Sequence, residues 1–110
     1  MDVLKPRAMW LYQLEHDEYV AGKIAACQEI ARWSSAKACE ALEAAFRRET
    51  FWGMQSEIAQ ALASIRSRRA FEALKRCLAK TINVKAQRGI VAALGEFRQP
   101  ETVSLVRTFL

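Results

Sequence analysis

Thr50-Phe51-Trp52-Gly53-Met54-Gln55 opens residues 50–81, and the apolar pattern of that stretch recurs on both sides of it. Leu62 is matched by Ile30 and Leu94, Ile65 by Trp33 and Phe97, Leu74 by Leu42 and Val106, and Leu78 by Phe46 and Leu110. Every offset is 32 residues. A fixed period of this size marks a repeat array, whose units bury their apolar faces only by stacking on one another.

Each period holds two segments with apolar residues at helical spacing. The first-half segments, or A helices, are predicted over about 18–33, 51–65 and 84–97. Their inward residues are Val20, Ile24, Cys27, Ile30 and Ala31, then Met54, Ile58, Ala61, Leu62 and Ile65. The B helices cover about 36–48 and 68–80, with a third opened by Pro100. Their stripes are Ala38, Cys39, Leu42, Ala45 and Phe46; Ala70, Phe71, Leu74, Cys77 and Leu78; and Val103, Val106, Phe109 and Leu110. Asp17, Ser35, Thr50, Ser67 and Asn83 have side chains suited to capping the helices that follow them. Residues 6–15 form a further short helix with Pro6 at its first position, where a missing N–H costs nothing. Trp10 and Leu14 lie two periods before Leu74 and Leu78, so this helix is the second half of an incomplete repeat and covers one end of the stack.

The chain therefore reads as all-α, a single α-solenoid domain over 1–110, with a capping helix (about 6–15) and repeats at about 17–49, 50–81 and 82–110. Ala31, Ala63 and Gly95 share one column near the end of helix A, where a small side chain lets helix B approach closely. Helical hairpins of this length with such a column resemble HEAT repeats.

Composition agrees. Of 110 residues, 52% are apolar and 26% charged, with 4 glycines and 2 prolines. That balance suits helix and leaves room for one domain. No apolar run is long enough to span a bilayer, and residues 1–6 lack the apolar core of a signal peptide. Cys27, Cys39 and Cys77 are odd in number and have no metal-like spacing, which points to free thiols in a reducing, cytoplasmic compartment. All three fall in core columns. Residues 1–57 hold 7 basic and 9 acidic side chains, and residues 58–110 hold 10 and 3. The second half is either a solvated basic face or a surface for an anionic partner.

Trp10-Leu11-Tyr12-Gln13-Leu14-Glu15-His16-Asp17, Phe51-Trp52-Gly53-Met54-Gln55-Ser56-Glu57 and Ala92-Ala93-Leu94-Gly95-Glu96-Phe97-Arg98 together resemble the C-terminal helical region of M1-family, aminopeptidase N-like metallopeptidases. Val3-Leu4-Lys5 resembles the tail of the β-sandwich domain that precedes it there. The resemblance implies an accessory region that packs on a catalytic domain and helps enclose its substrate cavity. The family's chemistry needs a His-Glu-x-x-His helix with a downstream Glu to hold zinc, and a Gly-x-Met-Glu-Asn strand. This chain has one histidine, His16, and neither motif. It is expected to be non-enzymatic and to carry no cofactor, any zinc belonging to a parent enzyme.

Trp52 aligns with Val20 and Val84, which suggests a core and inter-repeat role for it; Trp10 and Trp33 fall in core columns too. His16 reads as a solvated turn residue. The outward positions of the B helices form the columns Lys37/Arg69/Glu101, Glu40/Glu72/Ser104, Glu43/Lys75/Arg107 and Ala44/Arg76/Thr108. With Arg47, they make a candidate concave interaction face: Lys37, Glu40, Glu43, Arg47, Arg69, Glu72, Lys75, Arg76 and Arg107. Its expected partner is the parent's catalytic domain or another protein or peptide, the free-standing scaffold being the alternative. Nucleic acid ranks below these: residues 66–85 are basic, but no aromatic residues interleave on the B face. No membrane partner is expected, and Phe109-Leu110 offers an apolar end for self-association.

Overall fold

Alternating A and B helices build two layers. A computed structural model describes residues 5–97 together with Thr102 and Arg107, and among the described residues there are six helices and no strand. They are α1 (Arg7–His16), α2 (Val20–Arg32), α3 (Ala36–Arg48), α4 (Trp52–Ile65), α5 (Arg68–Lys80) and α6 (Val84–Leu94). The A helices α2, α4 and α6 pack side by side, while α3 and α5 pack on each other in the second layer. Helix α1 lies on α2 and reaches α3, the place of a B helix at the end of the stack. It contributes buried Leu14 and half-buried Trp10 and Leu11, yet leaves Met9 and Tyr12 exposed on its far side.

Most of the columns that the period implies form the core among the described residues. Ile30, Leu42, Met54, Ile58, Leu62, Phe71, Leu74, Ile90 and Leu94 are fully buried. The three cysteines sit among them as free thiols. Burial pushes the Cys27 and Cys77 thiols up to about 12, so both stay protonated at neutral pH and behave as small apolar groups.

Caps explain where helices begin. Ser35 accepts from the Ala38 amide and Ser67 from the Ala70 amide, each at 3.1 Å. Asn83 accepts from Lys85 and Ala86. Asp17 and Thr50 do not cap α2 and α4. Tyr19 and Phe51 hold those N-cap positions without a side-chain cap. Asp17 accepts from the Tyr19 amide at 2.9 Å, a turn completed before the helix starts. Pro6 is likewise the N-cap of α1 rather than its first residue, its carbonyl accepting from Met9 and Trp10. Ser34 (φ 50°) and Arg66 (φ 57°) occupy the left-handed region at equivalent places, so both A-to-B turns are made the same way.

Three further sequence readings need correction. Helix α6 ends at Leu94, and Phe97 is buried beyond it with its ring 5.2 Å from that of Phe71. Gly95 is exposed, unlike Ala31 and Ala63 in its column. The close approach made by glycine is at Gly89, where an added Cβ would lie 2.5 Å from Ser56 Oγ and 3.4 Å from Ser56 Cα on the neighbouring α4. Val20, Trp52 and Val84 do share an environment, but it is solvent: all three are exposed. Equivalence by period says that positions are alike, not that they are inside. The third B helix and its apolar end, Phe109-Leu110, lie outside the described residues apart from Thr102 and Arg107, both helical.

Candidate functional site

The α3–α5 junction carries a dense cluster of charge on the B face. The repeat column puts Glu43 among outward residues; in the structure it is 7% exposed and faces α5. Its carboxylate accepts two hydrogen bonds from Arg76, from Nε at 2.8 Å and Nη2 at 2.9 Å, and a third from Arg47 Nη2 at 2.9 Å. The partner across the repeat is therefore 33 residues away rather than 32, because a side chain on α3 leans toward its neighbour instead of standing beside its own equivalent. The Arg76 hydrogen bonds hold the Glu43 carboxyl below its ordinary value of 4.5 against the opposing effect of burial.

This cluster divides the α3–α5 groove into two depressions that share Glu43 and Arg76. The one toward the helix N-termini, about 300 Å3, is bordered by Glu40, Arg68, Arg69 and Glu72. Glu72 is paired there with Arg68 at 2.7 Å and Lys75 at 3.3 Å, and both cations lie over the Phe71 ring. The other, about 390 Å3, is bordered by Arg47, Arg76 and Lys80, with Phe46, Cys77 and Ile82 as apolar wall. Of the predicted face, Glu43, Arg47 and Arg76 are brought together, Glu72 and Lys75 form a second group bordered by Glu40 and Arg69, and Lys37 and Arg107 are exposed without being brought into either group.

The B-to-A connections complete the second depression, and the sequence reading passed over them. Gln55 donates to the Glu49 carbonyl at 2.9 Å, and Gln87, one period later, to the Thr81 carbonyl at 2.8 Å. Thr81 also donates its hydroxyl to the Cys77 carbonyl at 2.6 Å. Ile82 is thus fixed between Thr81 and the cap Asn83 while 93% exposed. The glutamines in one column, and a bulky apolar residue between two turn formers, were the available signals. Along the same edge stand Tyr19, Val20, Phe51, Trp52 and Val84, all exposed. Gly53 lets the Phe51 ring fold over the start of α4, since an added Cβ would meet that ring at 2.7 Å. Lys85 lies 4.9 Å from the centre of the Trp52 ring. The edge is an apolar ridge repeated with the period of the array.

Two stacked hairpins, capped alike, turned alike and joined through B-to-B contacts, are the architecture of one known repeat class, and residues 8–85 match the family described as HEAT repeats. The chain belongs to the HEAT-repeat family. Comparison with curated proteins finds no match, and comparison with solved structures finds none. HEAT-repeat domains are typically scaffolds for binding other proteins. Among the described residues no group of three or more His, Cys, Asp or Glu is arranged to hold a metal ion, and no helix is long and apolar enough to cross a membrane.

Proposed function

We propose that this chain is a non-catalytic protein-docking domain that receives a partner along the α3–α5 groove. The observation that carries this reading is the groove itself: exposed cations held in register by the buried Glu43, with an open depression on either side. Guanidinium groups oriented beforehand lose little freedom when a partner arrives. The groove also holds Glu40, Glu43 and Glu72 between its basic residues, an arrangement poorly suited to a phosphate backbone and better suited to a protein of mixed charge. The test is selection of random displayed dodecapeptides against the domain and against its Arg47→Glu/Arg69→Glu variant. Peptides retained by the first and lost from the second support the reading; selection that ignores the charge reversal overturns it.

A more specific form is that the domain is the accessory helical region of an M1-type aminopeptidase, docked on that enzyme's catalytic domain. One observation favours it: Trp52, in the Phe51-Trp52-Gly53 run that carries the resemblance, is an exposed tryptophan that the chain itself does not bury. In this form the zinc and all catalytic groups belong to the parent enzyme, the compartment is cytoplasmic, and the chain alone turns over no aminopeptidase substrate, with or without added zinc. Reading the genomic frame upstream of Val3 for a His-Glu-x-x-His segment tests it, and an intergenic region there removes it.

A further inference from the structure

We infer that the depression at the α3, α5 and α5–α6 junction is a pocket for an acidic side chain flanked by apolar ones on an extended protein segment. The inference rests on the docking reading above and names the chemistry of the occupant.

Three observations meet at this place. The first is charge. Arg47, Arg76 and Lys80 border the depression against Glu43 alone, which leaves an excess of two positive charges. Glu43 occupies two of the five N–H donors of Arg76 and one of Arg47, so both guanidiniums retain donors for a second carboxylate. The second is the apolar wall. Phe46 and Cys77 line the depression, and Ile82 stands at its mouth, pinned on both sides and facing solvent. An apolar side chain held rigidly in water gains most when something covers it. The third is continuity. Ile82 belongs both to the depression and to the ridge that runs through Val84 and Trp52, so a segment entering the pocket with its carboxylate can lay apolar neighbours along that edge. Large exposed apolar residues gathered on one edge mark a contact surface rather than ordinary scatter.

The test uses a fluorescein-labelled dodecapeptide of four Leu-Glu-Gly units, read by anisotropy against the whole chain at low and at about 300 mM salt. Two control peptides replace every Glu by Gln or every Leu by Ser. The acidic-apolar peptide is expected to bind, with each control at least about tenfold weaker, the worth of one charge-assisted contact or one covered side chain. Lys80→Glu and Ile82→Ser, both at exposed positions where the fold is not at stake, are each expected to weaken it by a similar factor, and added salt should weaken it further. Equal binding of the Gln peptide, indifference to both substitutions, or displacement by duplex DNA at about 200 mM salt overturns the inference. If this peptide fails to bind while displayed peptides still depend on Arg47 and Arg69, the inference falls and the docking reading stands; if neither binds, both fall.

Discussion

Replacing Glu43 by Gln removes one negative charge from the centre of the α3–α5 contact while keeping the size of the side chain. In the native fold that carboxylate accepts three charge-assisted bonds between 2.8 and 2.9 Å, two of them from across the repeat boundary. A fully buried network of this kind, once broken, costs about 3–5 kcal/mol. Here the guanidiniums of Arg76 and Arg47 are 52% and 55% exposed, so water re-solvates them when the carboxylate is lost. The expected cost is therefore about 1–2 kcal/mol, toward the range of exposed pairs. For a domain of this size that is a fall in Tm of roughly 4–10 °C. The pH dependence carries the sharper signature. The folded Glu43 carboxyl lies below its ordinary 4.5, so its contribution is present above that value and is lost as pH falls through the folded value. The gap in Tm between wild type and Glu43→Gln, measured by circular dichroism, should be full at pH 7 and close toward pH 3. A gap that is absent at pH 7, or the same at both ends, refutes the reasoning.

Gly89→Leu should cost about 1–3 kcal/mol in urea unfolding, because the added side chain drives into Ser56 and wedges α4 from α6; an unchanged midpoint argues against that close approach. Arg66→Gly should raise stability by about 0.5–1 kcal/mol, since Arg66 sits at φ 57° where only glycine is unstrained; a lower Tm removes the strain from the account. Iodoacetamide at pH 7.5 should leave Cys27 and Cys77 unmodified in the native chain and label all three cysteines in urea, as burial and the raised thiol values require; fast native labelling would contradict their place in the core.

The period made much of the fold legible. Both described B helices, α3 and α5, bury the five residues expected of each, because a 3.6-residue stripe and a 32-residue repeat leave one way to stack the hairpins. Ser35, Ser67 and Asn83 were legible as caps because capping depends on residues three apart in one chain. The helix starts after Asp17 and Thr50 were not, because an aspartate can close a turn as readily as a cap, and in α4 the Phe51 carbonyl takes over the first helical bonds. The exposure of Trp52 is hidden from the sequence for a different reason. A repeat column reports a shared environment, and an exposed edge recurs with the same period as a core.

What the sequence determined by itself is the set of short-range relations: the helices, the Ser35, Ser67 and Asn83 caps, the repeat and the buried stripes of the B helices. Each depends on spacing along one chain, which the order of residues specifies directly. What only the tertiary structure decided is how neighbouring repeats lean on one another. Glu43 reaches Arg76 at 33 residues instead of sharing the solvent with Lys75, Gly89 rather than Gly95 makes the close approach, and Lys80, Ile82 and Arg47 meet around one depression. Those relations depend on the angle and offset between packed helices. A difference of one residue in partner, or a few tenths of an ångström in approach, changes which side chains touch while leaving the periodic pattern the same.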